Sequence, residues 1–134
     1  MPFFVRFIAL VVVANAAFLA NAYSQQYWAG ILFPLVVPRP YTEMISAALI
    51  GAFAAAAVSA LPLAWLFEKR AWLAGLAISL PVVALRAPDL TAGTAPIQQA
   101  TFIMAWVEMI SYAVAVVGAA WLTPRIKWRA ENAL

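Results

Sequence analysis

Residues 44–86 read MISAALIGAFAAAAVSALPLAWLFEKRAWLAGLAISLPVVALR, two long apolar runs with a cluster of charge only between them, at Glu68-Lys69-Arg70. The first run, Met44–Phe67, has no polar face. At 1.5 Å per residue it is long enough to cross a hydrocarbon core of about 30 Å. Two such runs around three charged residues predict a helical hairpin with its tip at a membrane surface. The second run, Ala71–Arg86, reaches only about 24 Å, so Arg86 is expected to snorkel to the opposite interface. Small residues recur every fourth position, at Gly51, Ala55 and Ser59 and again at Ala71, Gly75 and Ser79. That spacing puts them on one helix face, where backbones approach closely in lipid. Pro62 and Pro81 each free a carbonyl that a neighbouring group must satisfy.

The flanking sequence extends the pattern. Of the 134 residues, 67% are hydrophobic and 10% charged, whereas a soluble domain is about half apolar and a quarter charged. Phe3–Tyr23 predicts another span. It also imitates a secretory leader, with Arg6 before the apolar run Phe7–Leu19 and Ala20-Asn21-Ala22 as an A-x-A site, and is expected to be retained as the first helix. Between Ser24 and Thr42 the apolar stretch Ile31–Val37 is too short to span. Pro34, Pro38 and Pro40 predict an interfacial or re-entrant loop there, with Tyr27, Trp28 and Tyr41 at headgroup level. Residues 87–96 read as an exposed loop. The last span, 97–122, carries Ser111, Ala115 and Ala119 on one close-packing face. Thr123-Pro124 is expected to close it before a basic tail, 123–134, with Arg125, Lys127 and Arg129.

The expectation is therefore an all-α membrane protein, a single domain over 1–134, built as a four-transmembrane-helix bundle (about 3–23, 44–67, 71–86 and 97–122). Cation placement orients it. With both ends inside, Arg6, Lys69, Arg70, Arg125, Lys127 and Arg129 lie on the cytoplasmic surface, leaving Arg39 and Arg86 outside, which obeys the positive-inside rule. A fifth span would invert that bias. Compact loops and the cation bias together suggest a multi-pass protein of a bacterial inner membrane.

Several chemistries are excluded or left without a template. Cysteine and histidine are both absent, which removes disulfides, thiolate or imidazole metal sites and the usual haem ligands. Nucleophile-elbow, phosphate-loop and zinc-protease patterns are missing, and no paired carboxylates suggest general acid/base work. The reading is of a protein that is not an enzyme and takes no cofactor or metal. Its net charge of +3 reports topology and gives no nucleic-acid footprint.

Glu108 is the residue with most chemical content. Counted from Ile97 it falls 12 residues into the span, close to the bilayer midplane, where an acid costs about 2.5–3.5 kcal/mol on insertion scales and must face protein or water. Asn15 reaches a similar depth from the other direction and is the expected partner. Ser111 and Tyr112 follow on nearly the same side of the helix. The favoured reading is a polar clamp between helices; the alternative is a protonatable group on a proton or cation path. Gln98, Gln99 and Thr101, with Asn21, Gln25 and Gln26, stand at helix ends and are expected to meet headgroups and water rather than to rim a vestibule. Glu43 suits a helix N-terminus, and Asp89 beside Pro88 suits a turn.

Three function classes remain. First is a non-catalytic small subunit or accessory protein of a larger membrane complex, with lipid, other membrane subunits or a homo-oligomer as partners. Second is a small proton- or cation-coupled transporter or channel using Glu108. Third is an immunity or exclusion protein that binds a membrane-active toxin.

Overall fold

The computed structural model describes residues 2–32, 41–91 and 96–131, with the side chains of 29, 32, 96–98 and 127–131 left out. From Phe3 onward every described residue is helical. Four α-helices, α1 (Phe3–Leu32), α2 (Tyr41–Phe67), α3 (Ala71–Arg86) and α4 (Pro96–Glu131), are accompanied by 3-10 turns at Glu68–Arg70 and Ala87–Thr91. Among the described residues three segments are long and apolar enough to cross a membrane. These are Phe3–Trp28, the 51-residue joined segment Tyr41–Thr91, and Gln99–Ile126.

The joined segment bends where its charges lie. Glu68 takes a positive φ of 46°, a left-handed conformation that costs an L-residue about 1–2 kcal/mol. It lets the chain reverse within the three residues Glu68–Arg70, all exposed to solvent or headgroups.

Packing follows the small residues. α1 and α4 both lie mainly on α2, α4 also packs along α3, and α1 touches α3 more lightly; α1 and α4 stand across the core from one another. The core holds Val13 and Ala17 of α1, Ala55 and Leu63 of α2, Ala71, Ala74, Ile78 and Val82 of α3, and Tyr112, Val116 and Ala120 of α4. Gly51, Ala55 and Ser59 are buried, as are Gly75 and Ser79. A Cβ on Gly75 would stand 3.2 Å from the Val117 Cα, so the α3–α4 contact is close to backbone-on-backbone. Ser59 and Ser79 donate back to the carbonyls of Ala55 and Gly75 at 2.8 and 2.9 Å. Their hydroxyls are thereby satisfied without a partner helix.

Three boundaries differ from the sequence expectation. Ser24–Leu32 is not a loop but the continuation of α1, since no proline interrupts the chain before Pro34; residues 33–40, the rest of the expected loop, lie outside the described residues. α2 begins at Tyr41 rather than Met44. α4 does not close at Thr123-Pro124 but runs on to Glu131. Proline removes one donor and frees the Ala120 carbonyl, a single lost bond that the long helix carries; beside it Thr123 Oγ1 donates to the Ala119 carbonyl at 2.8 Å. Residues 87–91, expected as loop, form a 3-10 turn in which Thr91 donates to the Pro88 carbonyl at 2.8 Å. The buried stripe of α4 also sits one position further on. It is Ala105, Glu108, Tyr112, Val116 and Ala120, while Ser111, Ala115 and Ala119 are half-buried.

Candidate functional site

Three helices meet at Glu108. It is 9% exposed on α4 and both carboxylate oxygens are engaged. Oε2 accepts from Arg86 at the end of α3, whose Nε and Nη2 both lie 2.6 Å away. Oε1 accepts from Gln25 Nε2 of α1 at 3.0 Å, and the same amide nitrogen donates to Asn21 Oδ1 at 3.0 Å. Arg86 Nη1 reaches Asp89 Oδ2 of the following turn at 3.4 Å. A chain of side-chain contacts thus runs Asn21, Gln25, Glu108, Arg86, Asp89.

Local sequence explains how the groups reach one another. α1 and α4 are not backbone neighbours, so only a long side chain from α1 can touch Glu108, and Gln25 is long enough. It passes α2 at Gly51. A Cβ there would lie 2.5 Å from Asn21 Oδ1 and 2.6 Å from Gln25 Cγ, distances that no real Cβ tolerates. The glycine read from sequence as a close-packing residue is therefore also the gap through which the polar bridge passes.

Distance along the helices places the cluster relative to the hairpin end. Gly51 lies 16 residues from Phe67, Arg86 16 residues from Arg70, and Glu108 17 residues from Arg125. Each count gives about 24–26 Å of rise from the hairpin end of the molecule. If the exposed turn Glu68–Arg70 marks one face of a core about 30 Å thick, Glu108 sits a few ångströms beneath the other face instead of at the midplane. The outer side of the cluster is the open one: the Arg86 side chain is 43% exposed while that of Glu108 is 11% exposed.

The expected neighbours divide. Asn15 does not meet Glu108; it is exposed, and its Nδ2 donates to the Val11 carbonyl of its own helix at 2.8 Å. Ser111 donates to the Glu108 carbonyl at 3.2 Å. Tyr112, 1% exposed, lies one turn deeper, its hydroxyl unpartnered among the described residues. Asn21 and Gln25, assigned from sequence to water and headgroups, belong to the cluster, while Gln26 is exposed. Gln99 and Thr101 are exposed and have interactions of their own; the side chain of Gln98 is outside the described residues. Arg86, expected at the lipid interface, is the principal counterion of Glu108. Its signal was present in the sequence, because Arg86 and Glu108 lie equally far from the two cationic ends Arg70 and Arg125.

Chemically the arrangement is a clamp. An ion pair and two amide side chains bind α1, α3 and α4 across α2, and each acceptor oxygen of Glu108 already has a donor. Among the described residues no three potential metal ligands converge. Comparisons with models of protein families, with curated proteins and with solved structures give no match for this chain.

Removing one partner of a part-buried pair leaves the other charge without full compensation. Arg86→Met is expected to lower the unfolding free energy by about 2 kcal/mol, less than a fully buried pair would lose because Arg86 is partly exposed. Glu108→Gln keeps the hydrogen bond to Gln25 and is expected to lose about half as much. Equilibrium unfolding in mixed micelles reads both; equal stability of Arg86→Met and wild type would contradict the clamp.

Proposed function

We propose that this protein is a non-catalytic small subunit or assembly partner of a larger membrane complex, crossing a bacterial inner membrane four times with both termini in the cytoplasm. Asn15 carries the reading. It lies nine residues after Arg6, so about 14 Å along α1 and near mid-depth of a core of about 30 Å. It is exposed on the outer side of the helix among Val11, Val12 and Leu19, which are exposed as well. The bond to Val11 uses one amide hydrogen, leaving the rest of the group facing hydrocarbon. An amide in that position is costly, and a neighbouring transmembrane helix supplying a polar partner removes the cost.

The rest of α1 agrees. Of its apolar window only 11% is buried within the chain, and Phe4, Phe7, Ile8 and Tyr23 are all exposed. A second face of small residues, Ser111, Ala115 and Ala119, is only half-covered, so more surface suited to close helix contact exists than this chain uses itself. The engaged state of Glu108, with a donor on each carboxylate oxygen, favours a structural role for this acid over a transport path.

Topology and association are tested separately. The chain has no cysteine, so Lys69→Cys and Ile126→Cys each place one thiol at the proposed cytoplasmic end. Both are expected to resist an impermeant maleimide in intact cells and to react in inverted vesicles; labelling of either in intact cells would overturn the orientation.

For association, gentle extraction from the native membrane followed by mass spectrometry is expected to recover larger membrane proteins at stoichiometric levels. Asn15→Leu is expected to release them while thermal stability of the isolated chain is kept. Recovery of wild type as a pure homo-oligomer would overturn the subunit reading in favour of a small transporter or channel.

A further inference from the structure

At the hairpin end a groove opens between α3 and α4, lined by Trp72, Val117, Gly118 and Trp121, with a volume of about 660 Å³. Gly118 is one of its lining residues, and an added Cβ there would meet nothing within 4 Å, unlike at Gly51 and Gly75. A glycine that faces open space does not serve helix–helix contact inside this chain; it deepens the groove. Trp72 and Trp121, both around two-fifths exposed, stand as its walls.

Each wall leads into cations. Trp72 follows Lys69 and Arg70 in sequence, and the turn that carries them packs against α4. Trp121 lies one helical turn before Arg125, whose guanidinium carbon sits 3.4 Å from the centre of the Trp121 ring. Stacking orients that guanidinium and leaves its N–H fork free for a planar or tetrahedral oxyanion. Among the described residues no carboxylate lies within ion-pair distance of Lys69, Arg70 or Arg125.

We infer that this groove is a binding site for an anionic phospholipid, its acyl chain laid over Gly118 between the two tryptophans and its phosphate held by Arg125 and Arg70. Charge complementarity selects the occupant. An apolar trough opening at a cationic surface matches one molecule with a long hydrocarbon chain and a negative head. The site is separate from the Glu108 cluster, which lies towards the other end of α3 and α4, and from the Asn15 face, which is on α1, so it does not rest on the subunit reading.

The test is native mass spectrometry of the delipidated full chain titrated with dioleoyl phosphatidylglycerol or dioleoyl phosphatidylcholine. One phosphatidylglycerol is expected to bind about tenfold more tightly than phosphatidylcholine, because its net negative head meets the cations at the groove mouth. Gly118→Trp, which fills open space and is checked for an unchanged melting temperature, is expected to abolish that single site. Arg125→Gln is expected to remove the preference for the anionic head.

Equal binding of the two lipids would overturn the inference. So would an unchanged phosphatidylglycerol preference in Gly118→Trp, which would reduce it to general surface charge, or displacement of the lipid by millimolar inorganic phosphate, which would remove the acyl chain from the account.

Discussion

A carboxylate placed inside a bilayer must be answered by donors, and the way Glu108 is answered organises this protein. Its two oxygens draw in Arg86 from α3 and Gln25 from α1. Contacts between small residues alone would let these helices slide, since Ala, Gly and Ser faces specify closeness more than register. The ion pair sets the height of α3 against α4, and the glutamine sets the height of α1 against both. Gly51 is the condition for the second, because any side chain there would occupy the path of Gln25.

Much of this was legible in the sequence, and what was not has identifiable physical causes. Residues 44–86 revealed a hairpin because charge can sit only where the chain leaves hydrocarbon, and α3 runs over the residues expected, Ala71–Arg86. Glu108 was recognisable as a residue that must find partners, because an acid in an apolar helix is costly without them. The identity of the partner was missed through a counting frame. Depth measured from Ile97 placed Glu108 at mid-membrane beside Asn15, whereas α4 extends to Glu131 and depth measured from the cationic ends places it beside Arg86. Proline was over-weighted in the same way at Pro124, where one lost donor does not end a long helix. Ser24–Leu32 was read as loop from the prolines that follow it, although its own residues, Gln25 above all, are tied into the helical core. Between Ser111, Ala115, Ala119 and the stripe one residue further on, periodicity alone gave no means to choose, since both are spaced by four.

The two ends of the molecule thus differ in what they do. The end holding Glu108 is polar inside, with both oxygens of that carboxylate answered by the chain itself. The hairpin end is apolar inside and carries its charge on the surface, at Lys69, Arg70 and Arg125, with Lys127 and Arg129 further along the same helix. Between them lies Asn15, whose amide finds only part of its hydrogen bonding within its own helix.

The most direct test of the account is magic-angle-spinning NMR on the protein in lipid bilayers, with arginine labelled by ¹⁵N and glutamate by ¹³C. A through-space contact between the Arg86 guanidinium nitrogens and the Glu108 carboxyl carbon, at a separation of about 4 Å or less and lost in Glu108→Gln, is the expected result. Absence of that contact, with Arg86 giving the signals of a freely hydrated side chain, would mean that the helices are held in register by something other than this ion pair.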